Sequence, residues 1–238
     1  MANKAPKNIS PIKAETMRTR LAKMAAMAQD FTNDLENVHV YISSGNSKTG
    51  FAVPSVSLIP VRDCANCSTC SRLCYDLRND LWRPSVQSTR AQNSALAHNA
   101  IDRYFLEIKL ACRAFRFFRW HIGGDILNAA YLAGVIDVAL YNPHCTFLIF
   151  TKRYDLINDY ISNGGEIPSN LQVIFSDWPG AKMNNPYSFP TSSPRFADGS
   201  TAAPACAIEC PGDCSSCAVM GSGCWTLKQG EGVVFNAH

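Results

Sequence analysis

The sequence has no apolar run long enough to span a membrane, and none near its start that resembles an export signal. A membrane-spanning helix needs about 20 consecutive apolar residues, whereas this chain begins Met-Ala-Asn-Lys-Ala-Pro-Lys and contains no such run. Charged residues are also few: they make up 17% of the chain, and the net charge is only +3. We therefore expect a cytoplasmic protein with no membrane partner, and nucleic acid is a disfavoured partner.

No internal repeat is visible, and a hydrophobic content of 47% in 238 residues disfavours disorder and allows a sizeable core. We divide the chain into three regions. These are an N-terminal arm and helix at 1–36, an α/β core with a first group of cysteines at 37–180, and an irregular connection with a second group at 181–238.

Strand-like and helix-like segments alternate through the middle of the chain. Strands are predicted at 38–42, 53–61, 117–122, 146–151 and 171–176, with a last short strand near 233–238. Helices are predicted at 17–35, 86–116, 127–140 and 154–162. Such alternation is typical of βαβ units with parallel strands and right-handed crossovers. The sequence therefore predicts an α/β fold, either a doubly wound sheet or part of a (β/α) barrel.

Eleven cysteines are far more than chance would give in this chain. Thiols stay reduced in the cytosol, where clustered cysteines are more often metal ligands than disulfides. Disulfides remain the alternative for an exported protein. Cys112 and Cys145 stand alone, and we expect them to be small buried hydrophobic residues.

The first group of cysteines has the spacing C-x2-C-x2-C-x3-C. Its members are Cys64, Cys67, Cys70 and Cys74. The same spacing occurs in bacterial ferredoxins, although Tyr75 replaces the proline that usually follows there. A short loop with a thiolate every third or fourth residue can wrap a cubane cluster. The spacing predicts a [4Fe–4S] cluster, with zinc in a tetrahedral four-thiolate site as the alternative.

The second group has five cysteines for the four ligands of a metal site. They are Cys206, Cys210, Cys214, Cys217 and Cys224. Spacing does not determine the spare cysteine; our working hypothesis leaves out Cys210. The two groups together hold one or two clusters, with a structural zinc site as the alternative for the second group.

Polar residues follow three predicted strands directly, where the active edge of a parallel α/β fold is found. We take His121, Asp125 and Lys152 as candidates for a pocket at this edge. Gly123 and Gly124 would let a cofactor approach the backbone closely, with Asp125 beside it. The alternatives are ordinary turns and helix caps, and a buried structural role for His121.

The order of these motifs resembles the phage "gene product 88" family across about 190 residues. The matching features are Asn46-Ser47-Lys48-Thr49-Gly50, Cys64-x5-Cys70-x3-Cys74-Tyr75, His121-x-Gly123-Gly124-Asp125, Phe150-Thr151-Lys152, Cys224-Trp225 and the terminus Val233 to His238. The resemblance implies a viral protein in the host cytoplasm. It further implies iron–sulfur clusters on a partial (β/α) barrel similar to the radical-SAM core.

The resemblance also makes SAM a candidate ligand, since Gly123-Gly124-Asp125 is similar to the Gly-Gly-Glu strand end that holds its amino group. The radical-SAM spacing C-x3-C-x2-C is absent, and Cys67 adds a fourth cysteine that could close the cluster. We predict a viral iron–sulfur protein with a redox or radical-SAM-like role, acting on a redox partner or a small-molecule substrate. The alternative is a zinc-stabilised binding module, with nucleic acid as a candidate ligand through Arg113, Arg116 and Arg119.

Overall fold

The computed structural model describes residues 13–45, 49–64, 67, 70–79 and 83–237. The predicted N-terminal arm up to residue 12, the motif residues Asn46, Ser47 and Lys48, and the terminal His238 lie outside the described residues. None of the described helices has the length and apolar character needed to cross a membrane.

The described part of the chain alternates helices with strands. The helices are α1 (Ala14–Thr32), α2 (Tyr75–Asn79), α3 (Pro84–Asn99), α4 (Ile101–Ala111), α5 (Ala129–Tyr141), α6 (Tyr154–Ser162) and α7 (Cys214–Met220). The strands are β1 (Ser55–Val56), β2 (Phe117–Trp120), β3 (Thr146–Thr151), β4 (Leu171–Ser176), β5 (Thr191–Arg195), β6 (Ile208–Glu209) and β7 (Gly232–Asn236).

All seven strands form one parallel sheet in the order β1-β2-β3-β4-β5-β7-β6. The predicted α/β class with a parallel sheet is therefore confirmed. The sheet is not closed into a barrel, because β1 and β6 lie at opposite ends of the strand order. The finer resemblance to the radical-SAM core stays a prediction.

The two faces of the sheet are covered by different parts of the chain. Successive side chains of a strand point to opposite faces, so Phe118 and Trp120 pack in the core formed with helices α4 to α6. Leu148 and Ile174 belong instead to a smaller core with Trp225 of the cysteine-rich C-terminal segment. The C-terminal segment therefore takes the place of a second helical layer, and this position puts its cysteines against the sheet.

Several predicted elements differ from the structure. Residues 38–42 do not form a strand, because the Val40 and Tyr41 backbone N–H groups donate to the side chains of Glu107 and Asn93. The predicted helix at 86–116 is two helices, separated by the non-helical backbone of Ala100 (φ −147°, ψ 54°). Strand β5 and helix α7 lie in segments where the sequence indicated only irregular structure and cysteine turns.

Candidate metal centres

The first group of cysteines lies at the edge of the sheet where the strands end. The chain leaves β1 at Val56 and runs beside the loop that follows β2. The Leu58 N–H donates to the Gly123 carbonyl at 2.9 Å, and the Asp125 N–H donates to the Asp63 carbonyl at 2.8 Å. These bonds fix the start of the cysteine loop, at Cys64, against the strand end predicted to bind a ligand.

The four thiols of this loop form one electrostatic group. The sulfurs of Cys67 and Cys70 are 3.8 Å apart. Hydrogen bonds with Cys64 and Cys70 raise the pKa of Cys67, and its hydrogen bond with Cys67, helped by the Lys152 ammonium, lowers the pKa of Cys70 to about 6. Burial and the Asp76 carboxylate raise the pKa of Cys74 to about 12, with smaller effects of Cys64 and Cys70.

The sulfur of Cys74 also has a backbone partner. The Leu77 N–H donates to it at 3.5 Å, from the first turn of α2. Backbone hydrogen bonds to cysteine sulfur are one of the means by which proteins set the potential of an iron–sulfur cluster. The local fold therefore provides a thiol loop with a hydrogen-bond donor already in position.

Two of the three predicted pocket residues are beside this loop. Lys152 acts electrostatically on Cys70, and its ammonium lies 5.8 Å from the centre of the Trp178 ring. Asp125 is buried and accepts hydrogen bonds from the Thr151 hydroxyl at 2.6 Å and from the Lys152 backbone N–H at 2.8 Å. Asp125 thus joins the ends of β2 and β3, while the Lys152 side chain supplies a positive charge near Cys70.

The predicted cofactor glycines are packed against the segment around the cysteine loop. A Cβ atom at Gly123 would lie 1.8 Å from Oδ2 of Asp76, and one at Gly124 (φ +88°) would lie 2.6 Å from Cβ of Leu58. Only glycine fits both positions without displacement of a neighbour. In this structure the two glycines bring the β2 strand end close to residues 58 and 76.

His121 lies apart from the thiols, within the helix-covered core. Its backbone is left-handed (φ 53°), and its Nε2 is 2.9 Å from the Tyr131 hydroxyl, which is in turn 2.9 Å from the Tyr104 hydroxyl. Burial lowers the pKa of His121 to about 3. The contact that the structure shows for its ring nitrogen is with Tyr131, which fits the alternative of a buried structural histidine.

Two buried carboxylates that sequence reasoning missed hold the cysteine loop in place. Asp63 accepts hydrogen bonds from the Ile59 N–H and the Ser94 hydroxyl, and its Oδ1 is 3.0 Å from Nε2 of His98. Ser94 and His98 stand four apart on α3 and so share one helical face. The sequence signals that could have indicated this contact were the spacing of Ser94 and His98 and the aspartate directly before Cys64.

The second carboxylate, Asp76, forms a buried ion pair with Arg90 of α3. Its Oδ1 accepts from the guanidinium, and among the described residues its Oδ2 has no hydrogen-bond partner. Burial raises the pKa of Asp76 despite the charge of Arg90. The pair ties α2, directly after Cys74, to the long helix α3.

Four cysteines of the second group line one small cavity below the sheet. The cavity has a volume of about 20 Å³. Its cysteines are Cys210, Cys214, Cys217 and Cys224. Cys206 is exposed and is not among the lining residues. The structure therefore joins Cys210, and not Cys206, to the other three.

An arginine of β2 lies against this group. Nη1 of Arg119, on β2, is 3.1 Å from the sulfur of Cys214, and the guanidinium lies 4.9 Å from the centre of the Phe150 ring. Its charge opposes the effect of burial, which raises the pKa of Cys210 and Cys224. Arg113 and Arg116 are exposed, so the three arginines do not form one basic face.

Both groups supply the donor atoms that thiophilic metals prefer. Among the described residues, no three His, Cys, Asp or Glu side chains already converge closely enough to hold a metal ion. Each group nevertheless offers four thiols from a short stretch of chain, which suits zinc or an iron–sulfur cluster by donor type. Cys112 and Cys145 are fully buried, as predicted, and belong to the helix-covered core.

Fold and sites together define an α/β protein with an open parallel sheet and two separate groups of four cysteines. The family model described as Gene product 88 matches residues 21–185. The match covers well over half of the chain, so the chain belongs to the Gene product 88 family. It includes the first group of cysteines and ends before the second. No curated protein and no solved structure matches the chain.

Proposed function

We propose that this chain is a phage iron–sulfur protein that transfers electrons in the host cytoplasm, with a [4Fe–4S] cluster held by Cys64, Cys67, Cys70 and Cys74. The observation that carries the proposal is the grouping of these four thiols beside Lys152 at the carboxyl edge of the sheet. This edge is where parallel α/β folds bind their ligands.

Two features favour a cluster over zinc in this loop. The spacing of the four cysteines is that of bacterial ferredoxins. The Leu77 N–H, donated to Cys74, and the Lys152 ammonium, which acts on Cys70, both stabilise added negative charge on the ligands. Zinc does not change its oxidation state, so at a zinc site the same groups would only offset the constant charge of the thiolates.

A bound [4Fe–4S] cluster supplies one-electron redox chemistry at this edge. The four thiolates would leave no iron without a cysteine, whereas SAM needs an open iron. Asp76 beside Gly123 and Leu58 beside Gly124 also leave little room for a ligand directly against these two glycines. The arrangement therefore favours electron transfer over radical-SAM chemistry.

The test is the metal content and visible spectrum of anaerobically purified Cys70→Ala. We expect the variant to lose iron, sulfide and the broad visible absorbance of a cluster. Cys206→Ser, at an exposed cysteine that does not line the cavity of the second group, should keep them. Full iron in Cys70→Ala would contradict the assignment. Cleavage of added SAM by the reduced wild type would replace electron transfer with a radical-SAM role. A colourless zinc protein that binds nucleic acid with strong salt dependence would support the binding-module alternative.

A further inference from the structure

The second group of cysteines has an arrangement of its own, separate from the first. Cys214 and Cys217 stand three apart on α7, a spacing that puts both on one helical face. Gly221 and Gly223 are left-handed (φ 61° and 62°) and return the chain after α7, so that Cys224 lines the same cavity. A Cβ atom at Gly223 would lie 2.9 Å from the Cys217 sulfur, so glycine lets this turn approach the thiol.

The fourth thiol comes from the sheet. The Cys210 N–H donates to the Val234 carbonyl at 2.8 Å, which extends the pairing of β6 with β7 by one residue. Cys210 thus stands at the end of a strand, while Cys214, Cys217 and Cys224 come from α7 and the turn after it. The spacings Cys210-x3-Cys214 and Cys214-x2-Cys217 lie in the C-x2–4-C range that is typical of structural zinc sites.

The cavity that the four thiols line is small. Its volume of about 20 Å³ is room for roughly one water-sized particle, which suits a single ion. Four thiolates around a divalent ion leave a net negative charge. Arg119, at 3.1 Å from the Cys214 sulfur, is placed to offset it.

The residues around these thiols attach the C-terminal segment to the sheet. Cys217 and Trp225 pack with Leu148 and Ile174 on the face of the sheet opposite the helix-covered core, and the Trp225 indole N–H donates to the Cys214 carbonyl at 3.2 Å. These contacts hold a segment with little regular structure. A metal that binds four of its residues in the folded protein would add its binding free energy to the stability of the fold.

We propose that Cys210, Cys214, Cys217 and Cys224 bind one zinc ion that fastens the C-terminal segment to the sheet, with Arg119 as a positioning residue beside Cys214. On binding, each thiol releases its proton to solvent and no electron is transferred. The inference does not depend on a cluster at Cys64 to Cys74, and it concerns residues beyond the family match.

Metal analysis of the full chain, expressed with both iron and zinc available, tests the site. We expect about one zinc per chain in the wild type, loss of zinc with retention of iron in Cys217→Ser and Cys224→Ser, and unchanged zinc in Cys206→Ser. Unchanged zinc in both ligand variants, or loss of iron in place of zinc, would overturn the inference. Zinc without iron in the wild type would leave this inference standing and refute the iron–sulfur proposal.

Cobalt substitution keeps the test valid if the ligand variants fail to fold. Unaltered chain loaded with Co²⁺ in place of zinc should show the thiolate-to-cobalt absorption of a tetrahedral sulfur site, and absence of these bands would overturn the inference. Arg119→Gln should lose zinc to a chelator at roughly 10-fold lower chelator concentration than wild type, with Arg119→Lys between the two. If Arg119→Gln destabilises the fold and leaves the zinc affinity unchanged, Arg119 only packs against the site and its assigned role is overturned.

Discussion

Lys152 is the charged residue through which the chain can adjust the proposed cluster. Its ammonium lowers the pKa of Cys70, which means that it stabilises negative charge on that sulfur. Reduction adds an electron, so Lys152→Gln should lower the reduction potential by roughly tens of millivolts. A redox titration followed by electron paramagnetic resonance measures the shift. Lys182→Gln, an exposed lysine, is the control, and an equal shift in both variants would contradict the assignment.

His121 gives the protein a predictable response to acid. Burial lowers its pKa from 6.5 to about 3, so between these pH values the unfolded chain binds a proton that the folded protein does not. The free energy of unfolding should therefore fall as the pH drops below 6.5, by up to about 1.4 kcal/mol per pH unit from this residue. Above pH 6.5 the residue contributes no slope.

The variant His121→Asn isolates this effect, because asparagine does not titrate and tolerates the left-handed backbone. Urea unfolding at several pH values should show a weaker loss of stability in acid for the variant than for wild type. His144→Asn, at an exposed position, should follow the wild type. Parallel curves for wild type and His121→Asn would show that His121 is protonated in the folded state.

At the residue scale, sequence reasoning depends on local spacing, and the metal-binding role that it gives the cysteines stays a prediction. The two groups of cysteines and Lys152 were found from short motifs, because a loop or a strand end places neighbours in sequence together. The choice of Cys210 over Cys206 depends on the bond to Val234, made between distant parts of the sequence. His121 was assigned to the edge pocket because it follows a strand. In the structure its backbone is left-handed, and its ring contacts the Tyr131 hydroxyl.

At the scale of elements, Gly123 is the point where the β2 strand end meets α2. Alanine there would bring Cβ within 1.8 Å of the Asp76 carboxylate, which Arg90 holds in place. Gly123→Ala should destabilise the fold by about 1–3 kcal/mol, as overpacking does. Denaturant unfolding measures the loss. In an Asp76→Ala background the space opens and the added cost of Gly123→Ala should largely vanish; the same cost in both backgrounds would contradict the contact.

Helix α7 is attached to the turn before β1 through one serine. The Ser215 hydroxyl donates to the Thr49 carbonyl and accepts from the Ala52 N–H, both at 3.0 Å. Ser215→Ala removes both bonds, at a cost of about 1–3 kcal/mol, and should speed hydrogen exchange in α7. Val219→Ala, at an exposed position of the same helix, is the matched control. Unchanged exchange in Ser215→Ala would show that these two hydrogen bonds do not hold the helix.

Three elements, β3, α6 and β4, were predicted with their observed bounds. The two strands were recognisable because central parallel strands are buried on both faces and read as continuous apolar runs. The predicted strands at 53–61 and 117–122 are shorter in the structure, at Ser55–Val56 and Phe117–Trp120. β5 reads Thr-Ser-Ser-Pro-Arg and carries no such signal. Its place depends on pairing with β4 and β7, which local composition cannot reveal.

For the whole molecule, Arg119 connects the two groups of cysteines. It contacts Cys214 and acts electrostatically on Asp76, the buried residue after the first group. Helices cover one face of the sheet, and the C-terminal cysteine segment covers the other.

The α/β class with a parallel sheet could be predicted from the alternation of strands and helices alone. The open order of seven strands could not, since three of them follow residue 190 in weakly patterned sequence.

The stoichiometry of iron, acid-labile sulfide and zinc in anaerobically purified full-length protein tests the central claim most directly. A cluster at Cys64 to Cys74 predicts about four irons and four sulfides per chain, with about one zinc at the second group, and brown protein that bleaches on reduction. Colourless protein without iron or sulfide, prepared under the same conditions, would contradict the iron–sulfur assignment.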